Sequence, residues 1–186
     1  MDNSKIYFAK LRQDVIIPSK RDEDGGFDVY ANFEEPYLII PPHKTVMVST
    51  GLISAFSSDY VAILKERGST GSKGIGQRCG VIDSGYRDEW FVPLTNHNNK
   101  PLIILKNKNE FPYNEYKEDD FIIYPYSKAI CQVIMVEVPK LSIQELTKEE
   151  ILKFESERGT GKLGSSKKLF TFTKKWFNIF ILNLIE

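Results

Sequence analysis

The sequence predicts an all-β fold, a sandwich, barrel or jelly roll with one short helix near the C-terminus, and three observations carry that expectation. Eight short segments are rich in β-branched and aromatic residues, which suit a pleated, half-buried surface. Gly, Pro, Asn and Asp separate them, and these are the residues that turns require. No helical segment intervenes between the strands, so the alternation that builds a parallel α/β sheet is missing.

The first strand is expected over residues 6–11, and the next two over 38–40 and 45–48. Strands follow at 60–64, 91–94 and 102–105, with Asn96-His97-Asn98-Asn99-Lys100-Pro101 reading as a hairpin connection between the last two. Residues 106–120 are polar and charged, carry Pro112, and read as a surface excursion. The last strands are expected at 121–124 and 129–138. The helix comes next: Thr147 with Glu150 three residues on is a capping box, flanked by Leu146 and Ile151 as a hydrophobic staple, and Ile151 with Phe154 gives a short apolar face.

Residues 1–156 therefore read as one β domain, 157–168 as a flexible glycine-rich arm, and 169–186 as an aromatic and aliphatic tail. A spanning helix needs about 20 apolar residues. Lys174 and Lys175 interrupt the tail while Asn178 and Asn183 dilute it, so no membrane span is expected. The N-terminus has no basic patch followed by an apolar run, and a cytoplasmic location is expected.

A formal net charge of +0 gives the chain no long-range field that would steer it to nucleic acid or a membrane, so any phosphate binding must be local. Cys79 and Cys131 lie in apolar runs without CxxC spacing and read as buried free thiols. His43 and His97 lack Cys or His partners at ligand spacing, which argues against a zinc site.

Local phosphate chemistry is what several glycine-bounded segments offer. Gly80-Val81-Ile82-Asp83-Ser84-Gly85-Tyr86-Arg87 puts a carboxylate, an aromatic ring and a guanidinium on one turn. Gly25-Gly26-Phe27-Asp28 allows close backbone approach beside a carboxylate. Glu66-Arg67-Gly68-Ser69-Thr70-Gly71-Ser72-Lys73-Gly74 offers amides, hydroxyls and two cations, although Lys73 is followed by Gly74 and the segment is not a Walker loop. Gln132 contributes a neutral amide. Hydrolysis of a nucleoside triphosphate by water needs phosphate donors, a metal to gather charge, and one carboxylate to orient the water. The chain has these protein-side parts and no Ser-His or Cys-His pair.

The order Gly26-x-Asp28-Val29-Tyr30-Ala31, Glu66-Arg67-Gly68-Ser69, Gly80 to Arg87, Ala129-Ile130-Cys131-Gln132 and Arg158-Gly159-x-Gly161-x-x-Gly164-Ser165-Ser166 resembles the five-motif signature of the trimeric deoxyuridine triphosphatases, with a second motif similar to the Gram-positive bacterial and phage type. The resemblance implies a jelly-roll-like subunit in a homotrimer, with each active site shared among chains. It also implies cleavage of dUTP to dUMP and pyrophosphate with Mg2+, limiting uracil in DNA and supplying dUMP for thymidylate synthesis. By motif position, Asp83 would activate the attacking water and Tyr86 would pack on the deoxyribose. Backbone groups around Gly80 and Ile82 would read uracil. Arg67, Gly68, Ser69 and Gln132 would serve the phosphates, and Arg158, Gly164, Ser165 and Ser166 would close over the γ-phosphate. Asp28 would support Mg2+ through water, the ion being held chiefly by the triphosphate.

Three positions depart from the family pattern. Arg67-Gly68-Ser69 inverts the commoner Arg-Ser-Gly, Asp88 stands where Gly is common, and Leu163 replaces the Phe that covers the base. Phe170, Phe172, Trp176 or Trp90 are the candidates to replace that cover. A related fold family, dCTP deaminase, carries a catalytic Glu where this chain has Pro93, which cannot shuttle a proton. A regulatory or protein-binding role on the same fold is the alternative of a different class.

Overall fold

A run of four aliphatic residues, Leu102 to Leu105, has no polar position to turn outward, so it can only be a strand covered on both faces. In the computed structural model, which describes residues 2–78 and 80–162, all four are buried. Leu102 and Ile104 join the main core, and Ile103 and Leu105 pack with Phe111 in a second cluster on the opposite face.

The described strands are β1 (Tyr7–Lys10), β2 (Phe27–Val29), β3 (Tyr37–Ile40), β4 (Thr45–Ser49), β5 (Leu52–Ala55), β6 (Tyr60–Lys65), β7 (Ile75–Gln77), β8 (Val81–Ile82), β9 (Phe91–Asn96), β10 (Leu102–Leu105), β11 (Ile122–Pro125) and β12 (Cys131–Glu137). They form small sheets of order β2-β12-β6-β8, β4-β9-β7, β11-β10-β3 and β1-β5. All-β architecture is therefore observed as expected. Pairing is antiparallel except between β10 and β11. Parallel neighbours need a long crossover, and the charged excursion after β10 supplies it, with 3-10 turns at Lys108–Glu110 and Glu118–Asp120. Phe111 anchors that excursion, meeting Phe121 edge-on at 5.6 Å between ring centres.

The connection at Asn96 to Pro101 is not a hairpin, because β9 and β10 lie in different sheets. The reason is Asn96, fully buried at the end of β9. Its amide nitrogen donates to the carbonyls of Ile40 (3.1 Å) and Lys100 (2.8 Å), and its amide oxygen accepts from the N–H of Asn98 (3.0 Å). This Asx-type turn redirects the chain to another sheet.

Two helical turns complete the described chain. The first, α1 (Gly68–Gly71), was not anticipated; the second, α2 (Lys148–Ile151), begins where the capping box places it. Thr147 Oγ1 accepts from the Glu150 N–H at 3.2 Å, and Glu150 Oε2 accepts from the Thr147 N–H at 2.8 Å. The chain divides into two compact units, Met1–Lys140 and Leu141–Glu186. No described helix is long and apolar enough to cross a membrane.

Candidate active site

Asp28, Gln132 and Lys65 are directly paired across β2, β12 and β6, so their side chains leave the same face of the sheet. Arg67, two residues beyond the end of β6, reaches back along this row. Its Nε donates to Asp28 Oδ1 at 2.9 Å and its Nη2 to Asp28 Oδ2 at 3.1 Å, a bidentate pair. Nη1 donates to the Ala129 carbonyl at 3.3 Å. Each of the three guanidinium nitrogens is thus engaged, which orients the group at the border of a cleft.

Gln132 ties β12 to the segment that carries Arg67: its Nε2 donates to the Glu66 carbonyl at 2.8 Å. A Cβ on Gly26 would stand 2.8 Å from Gln132 Oε1, so a larger residue there would displace the Gln132 amide. Thr70, buried in α1, accepts from the Arg67 N–H at 3.1 Å and donates to the Arg67 carbonyl at 2.9 Å, fixing the backbone from which the guanidinium projects. An open cleft of about 800 Å3 lies against Asp28, Arg67, Gly68, Ser69 and Gln132. A smaller cavity of about 340 Å3 borders Asp28, Arg67 and Ser69 as well and is also lined by Lys73 and Lys128.

The turn bearing Asp83 and Tyr86 is built from β8 and β9. Gly80 precedes it with φ of 132°, and a Cβ there would meet the Leu64 carbonyl oxygen at 2.7 Å, so both conformation and space demand glycine. Ile82 is buried in the main core, opposite Ala62 of β6; its backbone, not its side chain, is what it can offer a ligand. Asp83 is exposed, and its carbonyl accepts from the Tyr86 N–H at 3.0 Å. The Tyr86 hydroxyl donates to the Glu89 carbonyl at 3.0 Å. Arg87 Nη1 ties the turn down through the carbonyls of Ser84 (2.6 Å), Tyr86 (2.9 Å) and Ser54 (3.2 Å).

The fold does not bring these two groups together within one chain. The Asp83–Tyr86 turn follows the edge strand β8, whereas Asp28 and Gln132 lie on β2 and β12 beyond β6. The register is also decisive: Ile82 pairs with Ala62 in antiparallel fashion, so Asp83 continues toward the start of β6, whereas Arg67 follows its end. At the rise of a strand this separates them by roughly 20 Å along β6.

Arg158 lies in the second unit, where its Nε donates to the Gly161 carbonyl at 3.2 Å and its Nη2 to the Lys162 carbonyl at 3.3 Å. Leu163, Gly164, Ser165 and Ser166 fall outside the described residues, as do Phe170, Phe172, Trp176 and Cys79. Trp90 is excluded as the replacement cover for a base: it is fully buried, its Nε1 donates to Ser54 Oγ at 3.1 Å, and its ring meets Phe8 edge-on. Cys131 is a buried free thiol, and burial pushes its pKa up to about 12. Sequence reasoning missed Thr70, whose role needs α1, and the contacts that Arg12 and Ser49 make with Glu89, which join distant parts of the chain.

Among the described residues no cluster of three or more His, Cys, Asp or Glu could cage a metal. Asp28, its carboxylate one-third exposed beside the cleft, is one acceptor, which suits an ion that keeps its waters and arrives with a polyphosphate.

Comparisons with known proteins identify the family. The dUTPase family model matches residues 13–109, just over half of the chain. A deoxyuridine 5′-triphosphate nucleotidohydrolase of Gloeobacter violaceus is 27% identical over 170 residues, covering 89% of this chain and 99% of the relative. That of Clostridioides difficile is 29% identical over 170 residues with the same coverage of each chain, 89% and 99%. A solved mutant dUTPase of Staphylococcus bacteriophage 80alpha with dUpNHpp has a TM-score of 0.67 at 19% identity, covering 88% of this chain and 98% of that one, a likeness of fold. Asp28, Arg67 and Asp83 all lie inside the matched span, and the chain belongs to the dUTPase family.

Proposed function

We propose that this dUTPase-family chain is a dUTP diphosphatase that hydrolyses dUTP to dUMP and pyrophosphate as a homotrimer whose sites are shared between subunits. The observation that carries the reading is the division of the site: a turn with an exposed carboxylate and a tethered tyrosine toward the start of β6, an oriented guanidinium and amide toward its end. Neither half is sufficient for phosphoryl chemistry. Two copies arranged so that one chain's turn faces another's cleft supply both.

Asp83 orients and deprotonates the water that attacks the α-phosphorus. Its exposed position leaves it free to meet a ligand held by another chain. Tyr86 packs against the deoxyribose, and backbone groups from Gly80 and Ile82 onward read the uracil edge. The Arg67 guanidinium, with Ser69, the Gly68 amide and Gln132, takes the phosphate oxygens, where negative charge accumulates in the transition state. Asp28 has two duties: it holds the Arg67 fork in place, and it would help hold Mg2+ through water. The ion would neutralise charge on the triphosphate. Arg158, with Gly164, Ser165 and Ser166, closes over the γ-phosphate and excludes bulk water, and Leu163 gives the base an apolar contact. Domain limits follow the same scheme, a β domain over 1–156, the arm over 157–168 and a tail over 169–186.

The test is pyrophosphate release across dUTP, UTP, dCTP and dTTP, with Asp83→Asn beside the parent. Selective turnover of dUTP that Asp83→Asn abolishes supports the reading. Equal rates for UTP and dUTP, or an unaffected Asp83→Asn variant, contradict it.

A further inference from the structure

Behind the Asp83–Tyr86 turn lies a polar node that the proposed chemistry leaves unused. Glu89 is buried to 13% side-chain exposure, and its Oε1 accepts from the Gly51 N–H at 2.6 Å, from Arg12 Nη2 at 3.0 Å and from the Ser49 hydroxyl. Arg12 gathers further groups: Nη2 reaches the Asn32 carbonyl at 2.7 Å and Ser49 Oγ at 2.6 Å, and Nε donates to Asn32 Oδ1. Four separate segments meet here. An ionised carboxylate this buried is costly unless donors surround it. Burial raises its pKa, but the hydrogen bonds from Ser49 and Gly51 and the Arg12 guanidinium outweigh that and hold it below the ordinary range.

Glu89 is also where Tyr86 is tied, since the Tyr86 hydroxyl donates to the Glu89 main-chain carbonyl at 3.0 Å. The side chain of Glu89 points into the node while its carbonyl holds the ring. A shift of the first therefore moves the second.

We infer that Glu89 and Arg12 are positioning residues whose partly buried ion pair fixes the Tyr86 ring at the distance where it excludes a ribose 2′-hydroxyl, and so sets the choice of dUTP over UTP. This rests on Tyr86 being the sugar filter. Rejecting one hydroxyl by packing requires the ring to hold its place within a fraction of an ångström, because a pocket wall that yields accommodates the extra oxygen. The tether through Glu89 gives that rigidity. A node that serves folding alone, by contrast, has no reason to distinguish the two sugars.

The experiment measures kcat and KM for dUTP and UTP in the parent, Tyr86→Leu, Glu89→Gln, Arg12→Met and Arg12→Lys, with thermal unfolding of each. Tyr86→Leu reports on the filter itself. Glu89→Gln and Arg12→Met are expected to lower the dUTP-over-UTP ratio of kcat/KM by about tenfold, the scale of one charged hydrogen bond, with Arg12→Lys recovering part of it. Should Glu89→Gln fail to fold, the two Arg12 variants carry the comparison. If Tyr86→Leu lowers the ratio while folded Glu89→Gln or Arg12→Met keeps the parent value, with or without a lower melting temperature, the inference is overturned and the filter stands. If Tyr86→Leu leaves the ratio intact, the filter reading falls and the inference with it.

Discussion

At the scale of single residues, each assigned group answers to a local constraint. Asp83 is exposed on a turn whose backbone is closed by Tyr86, and as a general base it is expected to contribute about 10²- to 10⁴-fold to turnover. Steady-state kinetics of Asp83→Asn should show that loss in kcat with KM for dUTP little changed. Gly80 gives a structural counterpart. With φ of 132° and a Cβ that would lie 2.7 Å from the Leu64 carbonyl, Gly80→Ala is expected to destabilise the fold by roughly 1–3 kcal/mol, read as a lower urea midpoint. Glu89 adds a pH dependence. Its pKa lies below the ordinary 4.5 in the folded chain, so its contribution is complete above that value and is lost as pH falls through the folded pKa. Acid unfolding of Glu89→Gln, compared with the parent below pH 4.5, should show a shallower loss of stability.

At the scale of elements, what the sequence revealed depended on local pattern. The aliphatic run of β10 and the capping box of α2 announce themselves because their causes lie within a few neighbouring residues. Strands β2, β5, β7 and β8 do not, since the first three have three or four residues with Asp, Ser or Gly among them and β8 has only two residues, and they are strands only because β12, β1, β9 and β6 pair with them. The connection after β9 misled for a related reason: a turn sequence states that the chain bends, not which sheet it joins next. The candidate site divides likewise. Asp28, Arg67, Asp83 and Gln132 stood out as motifs, whereas the Arg12–Glu89 pair spans 77 positions of sequence and left no local sign. For the arm, the expectation is that ending the chain after Glu157 lowers kcat at least about a hundredfold, as loss of an arginine at the transferring phosphate does. Thermal unfolding of the shortened chain should match the parent.

At the scale of the whole molecule, the central claim is that one chain holds two halves of different sites. The roughly 20 Å between Asp83 and Arg67 along β6 cannot be closed by side-chain motion within a sheet paired on both sides of β6. Closed rotational symmetry provides a solution, because a head-to-tail interface repeated three times presents each turn to a neighbour's cleft. Sedimentation equilibrium should accordingly give a mass of three chains. The most direct measurement mixes two inactive variants, Asp83→Asn and Arg67→Met, unfolds and refolds them together in equal amounts, and assays pyrophosphate release from dUTP. If a site draws Asp83 from one chain and Arg67 from another, random assembly restores about one quarter of the sites, and activity returns to about that fraction of the parent. If both residues serve the same site from the same chain, no mixed trimer contains a complete site, and an inactive mixture of demonstrably mixed trimers contradicts the account.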